Sequence, residues 1–171
     1  MSNKKLSKNQ AISFSIISLS LMLIFSYIEA VLPINLGSIG VKIGLSNIMT
    51  IIGIKILGIR TTLLINILRL IIIGILFGNV VRFAISVAGF CLSFIVMAFL
   101  IKRLNFSIIT TSIFGGISHN IGQLIAVAII TKGVMVFVLV PIYIIVGLLT
   151  GFIIGIITKL IYDKIQLIMF D

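Results

Sequence analysis

Residues 106–130 read FSIITTSIFGGISHNIGQLIAVAII, a run of 25 residues with no Asp, Glu, Lys or Arg. About 20 predominantly apolar residues suffice for a helix to cross the hydrocarbon of a bilayer, so this run reads as a transmembrane helix. Its middle carries His119-Asn120-Ile121-Gly122-Gln123, and the chain has no other histidine. On a helix, His119 and Gln123 stand at i and i+4 and share a face. Asn120 and Gln123 stand at i and i+3, so their amides are expected to converge beside the imidazole. Polar groups at this depth are costly unless they face a cavity or one another. Two readings compete: hydrogen bonds that bridge helices, which membrane helices make routinely, and a binding site, the default for ionisable groups inside a membrane. We carry the binding site forward as the expectation.

The composition agrees with the reading of that run. Of 171 residues, 61% are hydrophobic and 9% charged, with mean hydropathy +1.42. Soluble domains carry about 25% charged residues, so this chain cannot cover a water-facing surface. Its apolar runs are continuous rather than alternating, which excludes a transmembrane barrel. The expected fold is all-α: a bundle of six transmembrane helices at about 20 residues each. The net charge of +10 is dispersed among loops, a placement that fits the positive-inside rule rather than nucleic-acid binding. The lone Cys91 makes no disulfide framework and is expected to be a small packing residue.

Three segments follow: a basic N-terminal stretch (1–10), a membrane domain (11–162) and a short tail (163–171). The first apolar run, 11–32, is too long for a signal-peptide core and lacks a small-x-small cleavage site, so it reads as an uncleaved helix. Ala11, Ser15 and Ser18 form a small-residue stripe on it, suited to close approach by another helix, internal or on a partner. Glu29 ends this helix, and the glycine-bearing loop 33–42 follows. Gly37 and Gly40 there, and Gly44 beyond, permit tight turns and close approach to a ligand. Lys42 and Asn47 flank the start of a short second helix at 44–57. The third helix, 61–77, carries Arg69 near its middle, where an unpaired arginine costs at least about 2.5 kcal/mol on insertion scales. Its carboxylate partner is expected to be Glu29, because Asp163 and Asp171 lie at the far end of the chain; Glu29 has Lys42 and the solute as alternative partners. Helices at 83–101, 106–130 and 134–162 complete the set. Ser86, Gly89 and Ser93 on the fourth, and Gly147, Gly151 and Gly155 on the sixth, make small-residue ridges.

Counting basic residues orients the bundle. With the N-terminus cytoplasmic, nine of the 13 Lys and Arg fall in inside segments and three (Lys42, Arg82, Lys132) outside, with Arg69 within a span. Both termini are therefore expected inside, and the glycine loop outside. No Walker A, Rossmann, CxxC or HExxH motif occurs, and no two acids are neighbours to hold Mg²⁺. Neither a metal site nor catalysis by this chain alone is expected, and no cofactor is implied.

The combination Glu29-x-x-x-Pro33, Gly40-Val-Lys42-Ile-Gly44-Leu-Ser-Asn47, Arg69, Phe83-x-x-Ser86-x-x-Gly89, Phe106-Ser107 and His119-Asn120-Ile-Gly122-Gln123 resembles the Gx transporter family, also labelled heptaprenyl diphosphate synthase component I. The resemblance runs over about residues 11–160. That family is similar to the substrate-binding S components of energy-coupling factor (ECF) transporters. It implies six helices working with a transmembrane T subunit and two cytoplasmic ATPases in the bacterial cell membrane. It also implies a solute bound near the outer side beneath the first outside loop, with the first helix offered to the T subunit. Where that helix face commonly reads alanine-x-x-x-alanine, this chain has Ala11-x-x-x-Ser15. Prenyl diphosphate synthases resemble one another in aspartate-rich Mg²⁺ motifs, which this chain lacks. Under that label it is expected to be a non-catalytic accessory of a soluble synthase subunit. The expected ligand is a small solute, anionic or an isoprenoid or quinone precursor. Lys42 and Arg69 are expected to supply positive charge, and Asn47, His119, Asn120 and Gln123 oriented hydrogen bonds.

Overall fold

The computed structural model describes residues 6–31, 34–36, 39–41, 43–77 and 79–170, the two strands and residue 170 by backbone alone. Among them run six α-helices: α1 (Lys8–Val31), α2 (Ser46–Ile56), α3 (Ile59–Phe77), α4 (Val80–Lys102), α5 (Ile108–Thr131) and α6 (Val140–Phe170). A small antiparallel hairpin, β1 (Ile34–Leu36) with β2 (Ile39–Val41), links α1 to α2. The segments Lys8–Val31, Ile59–Phe77, Val80–Lys102, Ile108–Thr131 and Val134–Met169 are each long and apolar enough to cross a bilayer. The chain is an all-α, multi-pass membrane protein, as its composition requires.

The second helix departs from the expectation of six spans. With 11 residues, α2 extends only about 16 Å at 1.5 Å per residue, roughly half the hydrocarbon thickness. Residues 46–54 are all buried, so α2 is a central half-helix surrounded by the others. Its apolar side chains feed both main clusters of the core: Ile51 and Ile54 pack with Leu70, Phe90 and Met97, while Ile48, Met49 and Ile52 pack with Phe14, Met22 and Ile154.

Local chemistry explains the helix ends. Ser7 and Gln10 bond reciprocally, Gln10 N–H to the Ser7 hydroxyl and Ser7 N–H to the Gln10 side chain, so α1 starts earlier than its apolar run. This is a capping box with Gln at its third position. Asn79 caps α4 by accepting from Arg82 N–H, and Ser107 caps α5 by accepting from Thr110 N–H. The sixth expected helix divides in two. Residues Val134–Leu139 form a 3-10 helix, and α6 begins at Val140. Pro141 explains the change, because it has no N–H to give and its ring crowds the carbonyl four residues back. At the other end nothing breaks the helix, so the expected tail is helical to Phe170.

The α5–α6 contact depends on absent side chains. A Cβ at Gly147 would stand 2.8 Å from the Ile117 Cα, and one at Gly151 2.7 Å from the Ile113 Cα. Only hydrogen at these positions lets the backbones meet, which is the purpose of such ridges between membrane helices. One expectation needs correcting. Cys91 is exposed on α4 rather than packed. On α1, Ser18 is fully buried, while Ala11 and Ser15 are half-buried and the Ser15 hydroxyl donates to the Ala11 carbonyl. The three share one face of the helix, and that face turns toward the core, most deeply at Ser18, as the internal of the two alternatives has it.

Candidate functional site

The site is built from the start of α2. Gly44 has φ +85°, a left-handed conformation that glycine adopts without a steric penalty. The turn aims the Gly44 and Leu45 N–H groups at α1, where Glu29 Oε1 accepts both at 2.6 Å. An anion at a helix N-terminus meets unsatisfied N–H donors and the positive end of the helix dipole. One turn earlier on α1, the Ser26 hydroxyl accepts from Arg69 Nη1 at 3.3 Å. Arg69 is 7% exposed, is attracted by the Glu29 charge and has its guanidinium 5.9 Å from the Phe90 ring centroid. Its Nε has no hydrogen-bond partner among the described residues.

Asn66, one turn from Arg69 on α3, is tied in place. Its Nδ2 donates to the Thr62 carbonyl at 3.0 Å and its Oδ1 accepts from the Thr50 hydroxyl at 3.2 Å. Asn47 is buried beneath the turn, its amide nitrogen 3.0 Å from where a Gly44 Cβ would stand.

The other half of the site lies between α4 and α5. A Cβ on Gly89 would stand 2.9 Å from Gln123 Cγ and 3.0 Å from His119 Cε1, so these two side chains lie together over the glycine. The Ser93 hydroxyl donates to the Phe90 carbonyl at 3.1 Å and lies 3.5 Å from His119 Nδ1. Gln123 is 1% exposed, and neither atom of its amide has a hydrogen-bond partner among the described residues. Phe90 stands between the halves: its ring meets Arg69, and its carbonyl holds the serine that meets His119.

Helix lengths put these groups in one layer. At about 1.5 Å per residue, Arg69 is roughly 15 Å from the start of α3, Phe90 roughly 18 Å from the end of α4, and His119 roughly 17 Å from the start of α5. These three helix ends lie on the same side of an up-and-down bundle. The layer is therefore near the middle of these apolar spans.

Asn120 behaves differently from the sequence expectation. Its amide donates to the Tyr143 carbonyl on α6 at 3.1 Å. Asn120 and Gln123 do not converge, because one faces α6 and the other α4. The bridging reading fits Asn120, while His119 and Gln123 keep the company expected of i and i+4. Lys42 lies outside the described residues.

Ser26, Phe90 and Ser93 join the site without having been singled out for it. Ser93 had a signal, one turn from Gly89 on the ridge of α4. Ser26 and Phe90 had none, since a serine and a phenylalanine in apolar runs look like any others. Chemically, the layer offers a buried cation, an imidazole and an uncommitted amide. An apolar wall of Phe90, Phe94, Leu70 and Met97 adjoins it.

The family model of heptaprenyl diphosphate synthase component I matches residues 14–161, most of the chain. No curated protein and no solved structure matches significantly.

Proposed function

The chain belongs to the heptaprenyl diphosphate synthase component I family, and we propose that it is a non-catalytic membrane subunit binding a small acid-headed or polar-headed solute in the mid-depth layer. One observation carries this reading: Arg69 Nε and the whole Gln123 amide are deeply buried with hydrogen-bonding capacity unspent among the described residues. Leaving such a group unsatisfied costs about 1–3 kcal/mol, more for a charged one. A polar solute between α3 and α5 recovers that cost. Arg69 gives charge and donors, and Gln123, His119 and Asn47 orient the head. The apolar wall suits an isoprenoid or quinone-precursor tail. Asn120 leaves the proposed contact set, since it holds α5 to α6; Lys42 stays in it on sequence grounds.

In this reading the protein works as an S-component-like uptake subunit of the bacterial plasma membrane, termini cytoplasmic, with a T subunit and ATPases as partners. Its described acids are ill-placed for Mg²⁺-diphosphate chemistry: Glu29 is engaged at α2, and Asp163 lies near the opposite end of α6. A second reading, favoured by the family name, makes it the membrane accessory of a soluble prenyl diphosphate synthase subunit. Native mass spectrometry of the protein drawn gently from its own membrane tests both. A retained solute, or a T subunit with ATPases, supports the first; a co-purifying aspartate-rich synthase supports the second. Arg69→Ala and His119→Ala are expected to insert normally and lose the solute. Full retention by both variants refutes the site.

A further inference from the structure

Glu29 is held as a ligand would be held. Both of its short hydrogen bonds converge on one oxygen from the backbone of Gly44 and Leu45, and Arg69 attracts its charge from α3. We infer that the Glu29 carboxylate stands in the subsite that the acidic group of the bound solute takes, formed by the Gly44 and Leu45 N–H groups and the Arg69 guanidinium. This rests on the proposed function and narrows its solute to one bearing a carboxylate or phosphate.

Three features point to a subsite rather than a fixed helix cap. Arg69 is 7% exposed and keeps Nε without a hydrogen-bond partner among the described residues, a buried donor that a counter-charge to a fixed cap has no need to leave unspent. Gly44 at φ +85° and the buried Asn47 shape the turn so that its donors face α1. Among the described residues, the layer holds one cation and one carboxylate, so an arriving anion meets a like charge in a poorly screened interior. The net charge of the layer is unchanged if Glu29 takes a proton from the buffered solution as the solute's anion enters. The carboxylate becomes a neutral acid, the solute accepts the two N–H bonds, and Arg69 keeps a single counter-charge.

The charged groups on the helices packed around α1 are few among the described residues. Lys55 closes α2, Arg60 opens α3, and Lys159, Asp163 and Lys164 lie toward the end of α6. Arg69 is the one at the level of Glu29.

The test uses the full chain in nanodiscs, with empty nanodiscs subtracted, titrated calorimetrically with dodecyl phosphate, dodecanoate and dodecanol. Each titration is run in two buffers of different ionisation heat, which reports protons taken up on binding. Glu29→Gln keeps an oxygen acceptor for Gly44 and Leu45 and removes only the charge. Wild type is expected to bind one acidic probe in preference to dodecanol, and the favoured probe distinguishes phosphate from carboxylate. It is expected to take up about one proton more per anion than Glu29→Gln, a difference that cancels the probe's own titration. Glu29→Gln is expected to bind the acid about tenfold or more tightly, the effect of removing a nearby like charge. Equal proton uptake, or unchanged or weaker binding in Glu29→Gln, overturns the inference while leaving the solute site standing. Wild-type indifference to both acids, or unchanged binding in Arg69→Gln, overturns the proposed function with it.

Discussion

Replacing Gly122 by alanine places a methyl group where the backbones of α4 and α5 already touch. The new Cβ would stand 2.7 Å from the Ala88 carbonyl oxygen, 3.0 Å from the Gly89 Cα and 3.1 Å from the Ala88 carbonyl carbon. All three atoms are main chain, so no side-chain rotation relieves the overlap. The helices must part by roughly 1 Å to restore ordinary contact, and overpacking of this kind costs about 1–3 kcal/mol. The control is Gly74→Ala. Its Cβ would come still closer to a neighbour, 2.6 Å, but that neighbour is Cδ2 of the half-exposed Phe83 ring. The ring can swing outward, and the expected loss is under about 1 kcal/mol. Steric-trapping equilibrium unfolding in bicelles measures both on one scale. A loss for Gly74→Ala equal to or above that for Gly122→Ala refutes the reasoning, since raw distance would then matter more than which atoms are struck. Gly122 also lies beside the Gly89 shelf that carries His119 and Gln123. Weaker solute binding is therefore expected of Gly122→Ala even in the fraction that remains folded.

Asn120→Leu removes the bond to the Tyr143 carbonyl and is expected to cost about 0.6 kcal/mol, the average for such bonds between membrane helices, with solute retention in native mass spectrometry unchanged. Gln123→Leu fills nearly the same volume without the unpartnered amide. It is expected to leave unfolding free energy unchanged or raised while abolishing solute retention, and a clear stability loss would speak for a structural role. Ending the chain after Tyr162 removes Ile165 and Met169, which pack against the cluster containing Phe14 and Ile48. Each is only half-buried, so a combined loss of about 1–3 kcal/mol is expected in the same unfolding assay, with no change in solute binding.

The parts of the fold set by bulk composition were legible in the chain. Lipid admits only a closed hydrogen-bonding backbone, so five long apolar runs could only be helices. The Gly147, Gly151 and Gly155 ridge could be read because helical spacing alone aligns it. What escaped depended on single contacts. Ser7 and Gln10 form their capping box ahead of the apolar run, among polar residues that no helical periodicity marks. Pro141 was visible, but that it would turn residues 134–139 into a 3-10 helix followed only from its missing N–H at that position. The charges of Asp163 and Lys164 after Tyr162 end no helix, so α6 runs past the expected boundary to Phe170. In the site, spacing along one helix placed His119 with Gln123. It could not say that Asn120, one residue away, turns to a carbonyl on another helix, because that partner is Tyr143, 23 positions on.

The shortness of α2 and the depth of the polar layer are two aspects of one constraint. A helix crossing the whole membrane has its N–H donors at the interface, where water satisfies them. A half-helix starts inside, and its first donors need an acceptor there. Glu29 is that acceptor, and a buried carboxylate in turn needs a cation, which Arg69 supplies from α3. Without solute, Glu29 and Arg69 thus answer the start of α2 inside the bilayer. The α5 amide does not: Gln123 satisfies nothing among the described residues. A fold that needed polarity only to begin α2 would have an apolar residue at 123. The uncommitted amide, across Phe90 from the arginine, is therefore the part of the layer that packing leaves unexplained and that binding of a polar-headed solute explains.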